Sequence, residues 1–236
     1  MLNAILMASG LGVRMHPLTE KKPKPLIEVG NKPMIETVID ALVKRKVDNI
    51  YVVVGYLAEQ FNYLTNKYKN LTLVHNPDYK TVNNISSIYY AKQYLDKGDV
   101  YICESDLYLS NPDILKQSIK ESCYFGKMVK GYSDDWLFEL NESGFIKRVG
   151  KKGTDKYNMV GIAFFKQSDA AILAKVIDNA YGQPGYESLF WDDVVNINLD
   201  KLKLKIYPID NKQIIEIDTV DELNRVNQDI HNKVEK

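Results

Sequence analysis

Ala4-Ile5-Leu6-Met7-Ala8-Ser9-Gly10-Leu11-Gly12-Val13-Arg14, followed by Lys22-Pro23-Lys24-Pro25-Leu26, is the stretch that decides the fold of this chain. Ala4 to Met7 is a short apolar run of the kind a buried strand needs. It gives way to small residues, Ala8, Ser9, Gly10 and Gly12. Small residues let a backbone approach a ligand, and glycine tolerates positive φ. Successive N–H groups can then converge on anionic oxygens. Arg14, Lys21, Lys22 and Lys24 supply positive charge just downstream. A strand, a small-residue loop and basic side chains describe a phosphate site. A dinucleotide fingerprint needs a third glycine where Met15 stands, and a P-loop needs Gly-Lys-Ser/Thr where Gly12-Val13-Arg14 stands, so neither pattern fits. A tight strand-to-helix turn without a ligand is the alternative.

Lys24 lies between Pro23 and Pro25. Proline fixes its own φ and restricts the residue before it, so this lysine is held stiffly, as a fixed charge opposite a phosphate should be. A surface lysine in a proline-rich turn is the plain alternative. Ala8-Ser9-Gly10-Leu11-Gly12-Val13-Arg14 with Lys22-Pro23-Lys24-Pro25-Leu26 resembles the signature of nucleotidyltransferases that join a nucleoside triphosphate to a phosphorylated acceptor. That family usually carries Ala where Ser9 stands. The resemblance implies nucleotide contacts from Met7, Ala8, Ser9, Gly10, Leu11 and Gly12, and catalytic roles for Arg14 and Lys24.

At 236 residues the chain can bury a full core as one domain. Its 31 basic and 31 acidic side chains cancel. A nucleic-acid or membrane-surface binder would show a basic excess. No apolar run approaches membrane-spanning length, and the N-terminus lacks a signal-peptide pattern. The two cysteines, Cys103 and Cys123, have no metal-ligand spacing, and a reducing cytoplasm is the simplest setting. A homo-oligomer is left open.

Strands and helices alternate over the first half. Helices are expected from Pro33, over Leu57 to Tyr68, over Asn84 to Leu95 and over Pro112 to Glu121; strands over Asn49 to Val54, Leu71 to His75 and Asp99 to Cys103. Such alternation predicts a doubly wound α/β fold with a mainly parallel central sheet. Ligands then sit beyond the carboxyl ends of the strands, which brings Gly55 into the nucleotide set. From Cys123 the pattern changes to strand-like runs, Cys123 to Lys130, Leu137 to Leu140, Ile146 to Val149 and Met159 to Lys166. Turns are expected at Ser133-Asp134, Glu142-Ser143-Gly144 and Gly153-Thr154-Asp155. This smaller β region belongs to an acceptor-side half, residues 123–236, against a nucleotide half, 1–122. Helices over Ser168 to Ala180 and Glu187 to Val195 and strands over Leu202 to Pro208 and Ile214 to Ile217 complete it. A last helix shows Val220, Leu223, Val226, Ile230 and Val234 on one face, with Thr219 and Glu222 forming a capping box.

Nucleotidyl transfer to a phosphate needs no general base, because the acceptor oxygen is already anionic. The barrier is charge repulsion and alignment, so cations and positioning carry the catalysis. Mg²⁺ takes oxygen ligands from one or two carboxylates and from phosphates. Asp106 follows the apolar strand ending at Cys103, and Asp218 follows Ile214 to Ile217. Either could be only a turn or cap residue. The resemblance implies that they are the two metal-binding aspartates.

Asn83-Asn84-Ile85-Ser86-Ser87-Ile88-Tyr89, Asp135-Trp136 and Phe190-Trp191-Asp192-Asp193 resemble the CTP:phosphocholine cytidylyltransferases of bacterial surface-glycan pathways. The resemblance implies CTP and phosphocholine as small-molecule partners and adds Asn83 and Ser87 to the nucleotide site. A trimethylammonium donates no hydrogen bonds and is recognised by aromatic faces and negative charge. Trp136, Trp191, Asp192, Asp193 and Glu216 are the expected acceptor set, with the tryptophans forming a cage. Tryptophans packed in the core are the alternative. Phosphoethanolamine or 2-aminoethylphosphonate, whose primary ammonium prefers carboxylates, is a further reading of the acceptor. A sugar 1-phosphate, or a nucleotide-binding domain without turnover, fits the residues less well.

Overall fold

The computed structural model describes residues 1–234. The elements are β1 (Leu2–Ala8), β2 (Glu28–Val29), β3 (Lys32–Pro33), α1 (Met34–Lys44), β4 (Asn49–Val54), α2 (Tyr63–Lys67), β5 (Leu71–His75), α3 (Ile85–Ala91), β6 (Asp99–Glu104) and β7 (Leu107–Leu109). They continue with β8 (Cys123–Leu140), β9 (Ile146–Phe165), α4 (Gln167–Ala180), α5 (Trp191–Ile197), β10 (Lys205–Pro208), β11 (Ile214–Glu216) and α6 (Val220–Val234).

Among the described residues the main sheet has seven strands in the order β10-β8-β9-β6-β1-β4-β5. β1 pairs in parallel with β4 and β6, β4 with β5, and β8 with β10. β9 runs antiparallel to both neighbours, β6 and β8. The mainly parallel α/β sheet expected from the alternation is therefore present, and it runs through both halves of the chain. Side chains alternate across a strand. Ala4, Leu6 and Ala8 of β1 accordingly join Ile35, Val38 and Leu42 of α1 on one face. Ile5 joins Ile85 and Ile88 of α3 and Leu173 of α4 on the other. A third cluster packs Leu223 and Val226 of α6 against Met15, Ile27, Val29 and Met34. The last helix thus braces the segment that follows β1. Its cap is the expected box: the Thr219 Oγ1 accepts from the Glu222 N–H at 3.2 Å, and Glu222 Oε2 accepts from the Thr219 N–H at 2.9 Å.

Several boundaries differ from the sequence expectation. The helix expected from Leu57 is a 3₁₀ turn, Ala58–Phe61, then the short α2, which together bury Phe61 and Leu64. The helix expected from Pro112 stops at Leu115. Beyond Leu115 only Ile119 is apolar before Cys123, so no stripe exists to bury. The runs expected as four separate strands form two long ones, β8 and β9. Leu137 lies opposite both Gly150 and Asn158, so the β8–β9 ribbon curls back on itself. Ser133-Asp134 and Gly153-Thr154-Asp155 are irregularities within it. The turn at Glu142-Ser143-Gly144 is real: Asn141 Oδ1 accepts from the N–H groups of Ser143 and Phe145, and Gly144 has φ 79°.

Candidate active site

The carboxyl ends of β1 and β6 open into a cavity of about 620 Å³. Lys24 is its centre of charge. The loop after β1 folds into three 3₁₀ turns, Val13–Met15, Leu18–Glu20 and Lys24–Leu26. Gly12 sits at φ 66°, and a Cβ there would meet the Lys24 Cβ at 2.8 Å. Only glycine permits that conformation and that approach, so the loop closes onto the lysine stem. The Lys24 Nζ donates to Asp106 Oδ2 and to Asp218 Oδ1, both at 2.6 Å. Arg14 grips Asp218 with two nitrogens, at 2.6 and 2.8 Å. Lys24 is 6 % exposed. Burial is the largest influence on it and by itself lowers its pKa; the charges and hydrogen bonds of Asp106 and Asp218 outweigh this and raise it. Lys24 is therefore a fixed cation.

Asp106 and Asp218 are far apart in sequence and meet through a short antiparallel pair. β7 and β11 align Leu107 with Glu216, and the Ile217 N–H donates to the Asp106 carbonyl at 3.1 Å. Asp106 Oδ1 is buried without a partner. Among the described residues Glu104, Asp106 and Glu216 bring one carboxylate oxygen each within 4.8 Å of one another. Burial, then Asp106 and Glu216, push Glu104 well above the ordinary carboxyl range. Burial, then Asp106 and Asp218, push Glu216 up to about 8. This end of the cavity is short of positive charge. An orphaned carboxylate oxygen amid oxygen-only donors suits a hard cation such as Mg²⁺.

Of the residues expected in the nucleotide set, Met7, Ala8, Ser9, Gly10, Gly12, Asn83 and Ser87 line the cavity. Two members of that set do not. Leu11 points to solvent, outside the lining. Gly55 seats Tyr79 instead of a ligand: a Cβ there would meet the Tyr79 ring at 2.7 Å. Tyr79 is the residue that reaches the cavity. Neither the Asn83 nor the Asn84 side chain caps α3. Asn83 Nδ2 donates to the Ser188 carbonyl, and Asn84 Oδ1 accepts from the Trp191 N–H. They tie α3 to the start of α5.

The acceptor set divides. Trp136, Asp192 and Glu216 line the cavity. Trp191 does not: it is 3 % exposed and stacks on Tyr124 at 5.7 Å, with Phe165 edge-on at 6.2 Å. The two-tryptophan cage is thereby corrected. Successive helical residues do not share a face, so with Trp191 turned to the core, Asp192 faces the cavity. Asp193 is corrected too, because its Oδ2 accepts from the Phe190 N–H at 2.9 Å and so caps α5. Asp192 is buried and accepts from the Tyr124 hydroxyl at 2.9 Å; burial is the main cause of a pKa pushed up to about 7. Trp136 packs edge-on to Phe190 at 5.4 Å. The Lys151 ammonium lies over both rings, 5.3 Å from Trp136 and 5.8 Å from Phe190.

A strand-end loop brings a lysine and an arginine against two aspartates, and residues 3–126 match the nucleotidyl transferase family. The chain belongs to the nucleotidyl transferase family. A 2-aminoethylphosphonate cytidylyltransferase of Lancefieldella rimae is 52% identical over 221 residues, which cover 94% of this chain and 90% of that one. A choline-phosphate cytidylyltransferase of Streptococcus pneumoniae is 30% identical over 98% of this chain and 100% of its own. The solved CTP:phosphocholine cytidylyltransferase from Streptococcus pneumoniae superposes with a TM-score of 0.89 at 30% identity, covering 97% of this chain and 99% of that one. No helix of the described residues is long and apolar enough to cross a membrane. Tyr79, Val82, Lys151 and Met159 also line this nucleotidyltransferase's cavity and escaped the sequence reading. Tyr79 and Val82 lie in the segment after β5, and the strand-end rule could have found them. Lys151 carries no such signal, because the ribbon's curl decides where it points.

Proposed function

We propose that this enzyme transfers CMP from CTP to 2-aminoethylphosphonate and releases pyrophosphate. The observation that carries the acceptor assignment is the carboxylate lining. Asp192, Glu216, Glu104 and Asp135 all face the cavity, while one expected tryptophan is in the core and the other has a lysine over it. A primary ammonium donates hydrogen bonds to carboxylates, which are stronger when both partners are charged. A trimethylammonium has none to donate and needs aromatic faces. The 52% identical relative named for 2-aminoethylphosphonate supports the same choice.

In the reaction a phosphonate oxygen bonds to the α-phosphorus. The bond from that phosphorus to the bridging oxygen breaks, and its electron pair leaves with pyrophosphate. Lys24, held by its two aspartates, and Arg14 offset the negative charge that accumulates as the two anions meet. Asp192 holds the ammonium and orients the phosphonate. Asp106 and Asp218, with Glu104 and Glu216 nearby, are the residues proposed to hold Mg²⁺. When bound, that ion would neutralise phosphate charge.

The test is pyrophosphate release from CTP with 2-aminoethylphosphonate, phosphoethanolamine and phosphocholine in turn. The expected kcat/KM for 2-aminoethylphosphonate exceeds that for phosphocholine by about tenfold or more, the effect of one charge-assisted hydrogen bond. A kcat/KM for phosphocholine equal to or above it overturns the assignment.

A further inference from the structure

Asp192 enters the cavity wall from the first turn of α5, but a residue outside the cavity fixes how its carboxylate lies. Tyr124, on β8, is 1 % exposed and is not among the side chains that line the cavity. Its ring packs against Phe138 at 5.0 Å, Trp191 at 5.7 Å and Phe165 at 6.2 Å. Its hydroxyl reaches Asp192 Oδ1 at 2.9 Å. The direction of this bond is set by chemistry. Burial, then the charge and hydrogen bond of Asp192, push the phenol well above its ordinary range, so it keeps its proton. A carboxylate that holds an ammonium is ionised and has no proton to give. The phenol therefore donates and the carboxylate accepts. The backbone of α5 is tied separately. The Trp191 N–H donates to Asn84 Oδ1, and the Phe190 N–H to Asp193 Oδ2, both at 2.9 Å. Those bonds hold the start of the helix, whereas the Tyr124 bond holds the Asp192 side chain itself.

We infer that Tyr124 is a positioning residue, whose hydroxyl holds one oxygen of Asp192 so that the carboxylate meets the acceptor's ammonium, and that it governs acceptor binding without touching the acceptor. The inference rests on the reading of Asp192 as the partner of that ammonium. A carboxylate buried among apolar side chains is costly to keep ionised unless hydrogen bonds hold its charge. The phenol supplies such a bond from behind the cavity wall. It favours the charged form that an ammonium needs, and it engages Oδ1, which leaves Oδ2 for the ligand. A ring in a close-packed core has little freedom to move. The oxygen it holds is fixed to the same degree. Phenylalanine at position 124 would keep the ring and its packing and remove only the donor, so that substitution isolates the hydrogen bond.

The experiment measures KM and kcat for 2-aminoethylphosphonate and for 2-hydroxyethylphosphonate, which keeps the phosphonate and replaces the ammonium by a neutral hydroxyl. The panel is the wild type, Tyr124→Phe, Asp192→Asn and the double variant, at saturating CTP. Tyr124→Phe should raise the KM for 2-aminoethylphosphonate about tenfold, the scale of a hydrogen bond to a charged group, with a smaller change in kcat. The KM for 2-hydroxyethylphosphonate should stay within about twofold. The double variant should match Asp192→Asn, because a residue that acts through another has nothing left to act on. KM does not depend on the fraction of enzyme that is folded, so a partly unfolded variant still gives a reading. An equal rise in KM for both acceptors would make the hydroxyl a packing device and overturn the inference. So would an unchanged KM for the amine, or additive effects in the double variant. Failure of the underlying reading looks different: Asp192→Asn would then leave the preference for amine over hydroxyl as it is in the wild type, and the inference would fall with it.

Discussion

The two ends of this cavity are built differently. At the phosphate end Arg14, Lys24, Asp106 and Asp218 sit on loops just past strands, and close ion pairs hold them together. At the acceptor end Trp136, Lys151, Trp191 and Asp192 sit within a curled ribbon and a helix, where one step along the chain exchanges core for cavity. A charge at a strand end reaches the same rim of the sheet whatever its face. A side chain inside an element depends on parity, and parity depends on curl and helix phase. On the proposed function, topology anchors the reactive groups and local geometry sets the acceptor choice.

The largest expected effects lie at the phosphate end. Chelation of divalent ions should abolish turnover, and added Mg²⁺ should restore it; full activity in chelator would remove the metal from the account. Lys24→Ala should lower kcat by about 10²–10³ with a smaller change in the KM for CTP, as loss of a strong electrostatic donor does. A raised KM with unchanged kcat would make Lys24 a ground-state contact only.

At the acceptor end the effects are smaller and separable. Asp192→Asn should raise the KM for 2-aminoethylphosphonate by roughly tenfold to a hundredfold, the range of a hydrogen bond to a charged group. It should leave the KM for CTP within about twofold. The same change should stabilise the free protein at high pH. The Asp192 pKa is pushed up to about 7 by burial, above an unfolded value of about 3.9. As pH rises through that window the unfolded carboxyl ionises before the folded one, so the wild type loses stability that Asn keeps. Thermal melts should give equal Tm below about pH 4 and a higher Tm for Asp192→Asn above about pH 7. A lower Tm at high pH would place a compensating charge beside Asp192.

The tryptophans sharpen the contrast further. Trp191→Ala should cost about 3–5 kcal/mol of stability, while Trp191→Phe should keep its acceptor kinetics. Trp136→Ala should leave stability nearly intact and shift the acceptor KM by a few-fold at most, the scale of an exposed cation–π contact. Acceptor kinetics disturbed by Trp191→Phe would return that ring to the site.

What was legible in the sequence follows from the same physics. The strand-loop stretch from Ala4 to Arg14, Lys24 between its prolines, and the aspartates after β6 and β11 could be read because contiguous residues place them. The meeting of Asp106 and Asp218 around one lysine could not, since it depends on β7 pairing with β11. Trp191 looked like Trp136, each beside an aspartate, until the helix phase separated them. Gly55 marked a strand end correctly but serves Tyr79, and Leu11 is exposed and lies outside the cavity lining. Ser133-Asp134 and Gly153-Thr154-Asp155 have turn composition, yet cross-strand pairing draws them into a bent ribbon.

The central claim is that carboxylates, not an aromatic cage, choose the acceptor. It is tested most directly by kcat/KM for 2-aminoethylphosphonate against its N,N,N-trimethyl derivative, which keeps the phosphonate and the chain length and changes only the ammonium. A loss of about tenfold or more on methylation is the predicted result. Equal or better turnover of the trimethylated compound would contradict the account.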